Sequence, residues 1–217
     1  MKKITLCALL CFSLFVHAQD KTVRKTRFGL KAGLNISSLR VSGVRLKGDL
    51  SYKAGFHIGG MMQVSLSKDF LMQPELMFSN QGYNYEERTG AAKYSKVGNI
   101  NYLALPVMFV YYPIKNLSLE AGPQLSFLLS HKAKVDVTGV DKFDPTNPYI
   151  DEGTIDLKNE SRTVEFGANL GLAYKINQQF FCSARYNLGI TAANIKDKGS
   201  DEIDRNSVFQ FSIGYLF

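Results

Sequence analysis

The stretch FGLKAGLNIS, residues 28–37, alternates without a break. Phe28, Leu30, Ala32, Leu34 and Ile36 are apolar, while Gly29, Lys31, Gly33, Asn35 and Ser37 between them are small or polar. A period of two belongs to a strand with two unlike faces. In a soluble sheet the apolar face would meet a core. In a membrane barrel it would meet lipid. The rest of the chain chooses between these.

Residues 27–38 are one of eight such segments. The others are 52–66, 70–83, 101–112, 117–130, 163–174, 180–191 and 207–217. The segment 101–112 is apolar on both faces; Leu103, Leu105, Val107, Phe109 and Tyr111 are assigned outward. The connections at 67–69, 113–116 and 175–178 are tight turns. Those at 39–51, 84–100, 131–162 and 192–206 are long and polar. Long and short alternate strictly, so an antiparallel meander puts every long loop on one rim and every tight turn on the other. This is the outer-membrane pattern of short periplasmic turns and longer extracellular loops.

The polar stripes carry many Gly, Ser and Asn residues and few long charged ones. Such residues suit the crowded inside of a narrow barrel better than a solvated exterior, which argues against a lipocalin-like soluble barrel. Aromatic residues gather at the short-turn ends: Phe28, Phe70, Tyr111, Tyr174, Phe180, Tyr215 and Phe217. Aromatic rings favour a membrane interface, where one part is buried and another stays wet. Phe28 and its partners are therefore expected to face lipid.

The first residues read as a secretory signal peptide over 1–18. Lys2 and Lys3 precede an apolar run, and Val16-His17-Ala18 resembles a cleavage site. Residues 19–26 would form a periplasmic tail, and 27–217 the barrel. The formal charge of +7 falls to +5 without Lys2 and Lys3. The small cluster Lys21, Arg24, Lys25 and Arg27 reads as a solvated tail, and no nucleic-acid partner is expected. Of three cysteines only Cys182 lies beyond the leader, which excludes an internal disulfide framework and a cysteine-based zinc site. No metal or cofactor is expected.

In this orientation Lys31, Lys53, His57, Glu75, Glu120, Glu165 and Arg185 point into the lumen. Eight strands leave a lumen that side chains can fill, so buried charges there must pair or meet water. The readings are a salt-bridged plug, a narrow gated passage, or a catalytic or ligand role. Catalysis has little to work with. Beyond the leader the chain has only His57 and His131. Ser130-His131 lies near Asp136, but no G-x-S-x-G, HExxH, Walker or dinucleotide motif is present. Asp141, Asp144, Asp151 and Glu152 do not follow EF-hand spacing.

MQPELMFSNQGY (72–83), NYLALPVMFVYYP (101–113), LEAGPQLSFLLS (119–130) and ARYNLGITAAN (184–194) resemble the outer-membrane β-barrel domain of porin-family or PorT-type proteins. The opening FGLKAGLNIS and the ending SIGYLF resemble it too. The resemblance spans essentially the whole chain after the leader. It implies a fold and a location; the family is mostly without a known biochemical activity, and "porin" in its name does not establish transport. Members often carry a carboxylate and a lysine where this chain has Ala104 and Val110, so a lumen network through that segment does not carry over. Tyr215 and Phe217 resemble the C-terminal signal read by barrel-assembly machinery.

The expectation is an all-β protein, an eight-stranded antiparallel transmembrane up-and-down β-barrel in the outer membrane. It is expected to be no enzyme and to act through long extracellular loops or as a structural envelope component. Alternatives are a narrow porin for small solutes or ions, or a component of a secretion or envelope assembly by family analogy. The expected partners are outer-membrane lipid, the barrel-assembly machinery during biogenesis and a protein of the envelope.

Overall fold

The computed structural model describes residues 26–42, 48–90, 92–138, 153–191, 193 and 203–217. The expected leader over 1–18 and the acidic residues Asp141, Asp144, Asp151 and Glu152 lie outside them. The strands are β1 (Thr26–Ser42), β2 (Asp49–Ser51), β3 (Lys53–Ser65), β4 (Phe70–Thr89), β5 (Ala92–Ile114), β6 (Leu117–Thr138), β7 (Gly153–Asp156), β8 (Val164–Lys175), β9 (Phe180–Gly189) and β10 (Ile203–Leu216). Among the described residues a 3-10 turn covers Lys158–Glu160.

The sheet runs β4-β3-β1-β10-β9-β8-β6-β5, and β5 pairs with β4. That last pairing closes a ring of eight antiparallel strands. The first strand meets the last in continuous register, from Gly29 opposite Leu216 to Ser42 opposite Ile203. Hydrocarbon offers backbone groups no hydrogen-bond partner, so closure satisfies what an open edge would leave bare. The outer face is greasy: Leu34, Leu170 and Ile213 are each about two-thirds exposed. The facing stripe is buried and polar, with Lys31, Asn35, His57, Gln73, Glu75 and Arg185 nearly inaccessible. Residues 103, 105, 107, 109 and 111 of β5 face outward, as the alternation predicts.

The short turns form the expected rim. Asn177 Oδ1 accepts from the backbone N–H groups of Gln179 and Phe180, which explains the tight reversal there. The Phe70 and Tyr111 rings stack at 4.8 Å, and Phe180, Tyr215 and Phe217 follow edge to face along the same end.

The opposite rim departs from expectation. Residues 84–100 are mostly strand, and the described part of 131–162 includes two stretches of strand: β4 runs to Thr89, β5 starts at Ala92, β6 runs to Thr138 and β7 covers Gly153–Asp156. With β2 paired to β4 and β7 paired to β6, they raise a five-stranded lobe beyond the membrane belt. The belt ends at a polar ladder on the outer face. Asn80 Nδ2 donates to Asn101 Oδ1 at 2.7 Å, and Asn101 Nδ2 donates to Ser130 Oγ at 2.8 Å. The register slips here, because Asn101 pairs with Ser130 while Tyr102 pairs with Leu128. Leu129 is thus the extra residue of a β-bulge, and beyond it the solvent preference of the two faces inverts. Lys132, Lys134 and Asp136 are exposed, while Ala133, Val135 and Val137 are buried.

Fluorophores attached at Leu34 and Leu170 should be quenched by brominated acyl chains. Fluorophores at Lys132 and Lys134, on the same outer face but above the ladder, should not be. Equal quenching at all four sites would refute this placement of the membrane.

Candidate functional site

The lumen is built in layers. At its centre Arg185 of β9 reaches across to two carboxylates. Its Nη1 and Nη2 donate to the two oxygens of Glu75 on β4, both at 3.0 Å, and Nη2 also donates to Glu120 of β6 at 2.7 Å. Lys31 of β1 donates to Glu75 Oε2 at 2.8 Å. Gln73 donates to Glu75 Oε1 at 2.7 Å, and Gln63 donates to Gln73 at the same distance. Two cations therefore face two anions, and Glu75 accepts from three residues. The paired fork of Arg185 on Glu75 is the geometry that makes an arginine–carboxylate pair strong.

Beside this network lies an amide layer around His57. Its Nδ1 donates to Asn35 Oδ1 at 2.8 Å, and its Nε2 accepts from Ser212 Oγ at 2.8 Å. Asn35 Oδ1 can only accept, which places the single proton of a neutral imidazole on Nδ1. Asn187, Asn169, Gln124 and Ser126 form a donor chain across β9, β8 and β6.

Glu165 sits apart from the central network. It accepts from Tyr102 Oη in a short hydrogen bond and from Asn206 Nδ2 at 2.8 Å. Lys53, expected in the same network, instead lies at the upper rim. Its Nζ donates to the carbonyl of neighbouring Ala54. The structure therefore brings together Lys31, Glu75, Glu120 and Arg185, keeps His57 close by, and separates Lys53 and Glu165. Ala104 and Val110 are buried on β5, which contributes no charge to the lumen.

Both ends of the lumen are stoppered by apolar groups that alternation alone did not single out. Toward the short turns, Met61, Ala173, Phe181 and Leu216 pack together. A side chain at position 214 would strike the Phe181 ring at 2.1 Å, so Gly214 makes room for that stopper. Toward the lobe, Tyr83, Ile100, Tyr102 and Leu128 pack with Leu39, Leu50 and Tyr85. Gly98 leaves the space that Tyr83 fills, since a Cβ there would come within 2.4 Å of that ring. Between the stoppers, two cavities of about 10 Å³ each lie among the polar layers. That is about the space one water needs.

No catalytic constellation forms among the described residues. Ser130 and His131 fall on opposite faces of β6, and Ser130 Oγ accepts from Asn101. His131 Nδ1 bonds Ser161 Oγ at 2.7 Å. Asp136 projects outward further along the strand. No group of three His, Cys, Asp or Glu among the described residues could hold a metal ion.

A closed antiparallel ring with an apolar exterior and a polar interior is a membrane-spanning β-barrel. The chain belongs to the outer membrane protein beta-barrel domain family, which matches residues 17–215, and the outer membrane is its location. No curated protein matches the sequence. Among solved structures it is similar to Ail, the attachment invasion locus protein of Yersinia pestis, with 14% identity over 89% of this chain and 99% of that one and a TM-score of 0.49. It is also similar to outer membrane protein W of E. coli, with 17% identity over 90% and 100% and a TM-score of 0.39. Neisserial surface protein A shares 13% identity over 88% and 97%, with a TM-score of 0.43.

Arg185→Ala would leave two buried carboxylates without their shared cation. It should lower the unfolding free energy by about 3–5 kcal/mol, read from urea titration in detergent. Replacing Lys31, Glu75, Glu120 and Arg185 together by apolar residues of similar volume should cost far less. In the lobe, burial and the nearby Lys96 charge push His131 down to about 4, against an opposing pull from Asp156. Below its ordinary value of 6.5 the unfolded lobe takes up a proton that the folded one refuses. The His131 contribution is therefore intact above about pH 6.5 and lost as pH falls toward 4. Hydrogen exchange over residues 131–138, corrected for intrinsic rate, should speed up across that window, and His131→Phe should flatten the response.

Proposed function

We propose that this protein is a closed, non-catalytic outer-membrane barrel that works through its extracellular lobe and loops. The observation that carries this reading is the lumen, which among the described residues is packed by apolar groups toward both ends, with two water-sized cavities among its polar layers. Phe181 toward the short turns and Tyr83 toward the lobe narrow the way for a solute. The lobe, by contrast, is ordered sheet held by long strands that the barrel itself anchors. A rigid platform of that kind suits recognition of a partner in the envelope or outside the cell, because little order has to be gained on binding.

Purified protein in planar bilayers should show no unitary conductance. Replacing residues 85–97 by a tight turn should leave a folded, heat-modifiable barrel while removing the envelope phenotype that loss of the whole chain produces. Stable conductance steps from the unaltered protein, changed in size by Phe181→Ala, would overturn this reading in favour of a narrow channel.

A further inference from the structure

Arg40 of β1 and Arg205 of β10 stand directly opposite each other in the register. Alternation from Ile36 and Phe209 places both on the outer face. Like charges opposed across two strands are destabilising unless something lies between them. Neither arginine has a carboxylate within ion-pair distance among the described residues. Their guanidinium groups instead bond two successive carbonyls of one chain segment. Arg40 Nη2 donates to the Gly189 carbonyl at 3.3 Å, and Arg205 Nε donates to the adjacent Ile190 carbonyl at 3.1 Å. Each guanidinium has five N–H donors, and among the described residues these carbonyls engage one donor of each, so the others can serve an anion.

The height of this pair is informative. Below it on the outer face come Ser38 and Ser207, with Tyr186 Oη bonded to Ser207 Oγ at 2.8 Å. Below those lie Ile36 and Phe209, with the Phe209 and Tyr186 rings 4.7 Å apart. Arg40 is four residues beyond Ile36, which is about 13 Å along a strand and roughly 10 Å along the membrane normal at ordinary barrel tilt. That is the headgroup level of the outer leaflet.

The outer face carries a second feature. An apolar groove of about 920 Å³ opens there between Ala32 and Leu34 of β1, Phe211 and Ile213 of β10, and Cys182 and Ala184 of β9, and continues over β8 to Leu117 of β6. Small side chains at 32, 182 and 184 create the recess, and the larger neighbours wall it. Leu34 is six residues below Arg40, about 15 Å along the normal, which is the depth of one hydrocarbon leaflet.

We propose that this face binds one phosphate-bearing lipid of the outer leaflet. The phosphate sits between Arg40 and Arg205, and an acyl chain runs past Ile36 and Phe209 into the groove. Two planar guanidinium forks suit phosphate oxygens better than two ammonium groups would. A second copy of this chain is a poor occupant, because a two-fold contact through this patch would bring four guanidinium groups together.

The test uses the leader-free full chain in neutral detergent and native mass spectrometry. An equimolar mixture of phosphatidic acid and phosphatidylcholine is offered, and inorganic phosphate serves as a separate competitor. The unaltered protein should retain phosphatidic acid about tenfold or more over phosphatidylcholine. R40Q/R205Q should bring the two to parity. That variant relieves a like-charge contact, so without lipid its thermal midpoint should be unchanged or higher; R40Q alone gives a second reading with one fork removed. Ala184→Phe, which fills the groove, should weaken retention of phosphatidic acid. An unchanged lipid preference in both R40Q and R40Q/R205Q would overturn the proposal. So would displacement by millimolar inorganic phosphate together with no effect of Ala184→Phe, since that pair of results defines a plain anion site.

Discussion

Backbone satisfaction inside hydrocarbon is the constraint from which the rest follows. An amide that crosses the membrane must find its partner within the protein. In an all-strand chain this forces the pairing of β4 with β5 that closes the ring. Closure at eight strands sets a small diameter, and the diameter sets the interior chemistry. A narrow lumen leaves little water to solvate charge, so each charged group must be met by an opposite charge, as Glu75 is, or by hydrogen-bond donors, as Glu165 is by Tyr102 and Asn206. The small residues of the inner face follow from the same limit: Gly214 is bare because the Phe181 ring occupies the place of its side chain.

The chain crosses a solvent boundary without ending its strands. Below the ladder of Asn80, Asn101 and Ser130, lipid is outside and polar groups are inside. Above it, water is outside and apolar groups are inside. A regular strand would keep each face on its own side and so offer the wrong chemistry to one of the two solvents. The extra residue at Leu129 lets one strand serve both. Tyr102 stands at this junction, with its ring in the apolar stopper and its hydroxyl on Glu165 and Asn206.

The barrel was legible in the sequence because alternation in lipid is strong and turn lengths are regular. The lobe was not, because long polar connections were read as loops by their average polarity. A signal was present in Lys132-Ala133-Lys134-Val135-Asp136-Val137, which alternates as cleanly as residues 28–37. It carries the opposite relation between polarity and face, so a pattern tuned to lipid passes over it. The lumen charges were legible as a set facing inward, since facing depends only on parity. Which of them meet was not, because contact across a barrel depends on shear. Glu165 and Lys53 have the right parity and the wrong height.

Parity has a further limit, and the central ions supply what it lacks. A strand that slips by one residue turns its apolar set toward the lumen and is rejected at once. A slip of two residues keeps every apolar side chain in lipid, and alternation cannot register it. It would nonetheless carry a lumen side chain about 7 Å along the strand. For β9 that distance would take Arg185 out of reach of both Glu75 and Glu120, leaving Arg185 and Glu120 buried without their match and Glu75 with Lys31 alone. Because Arg185, Glu75, Glu120 and Lys31 belong to four strands spread around the ring, they jointly oppose a two-residue error on any one of them. Buried ion groups add little net stability over a well-packed apolar core. Their value in this barrel lies in distinguishing the native shear from neighbours that hydrophobic patterning would accept equally.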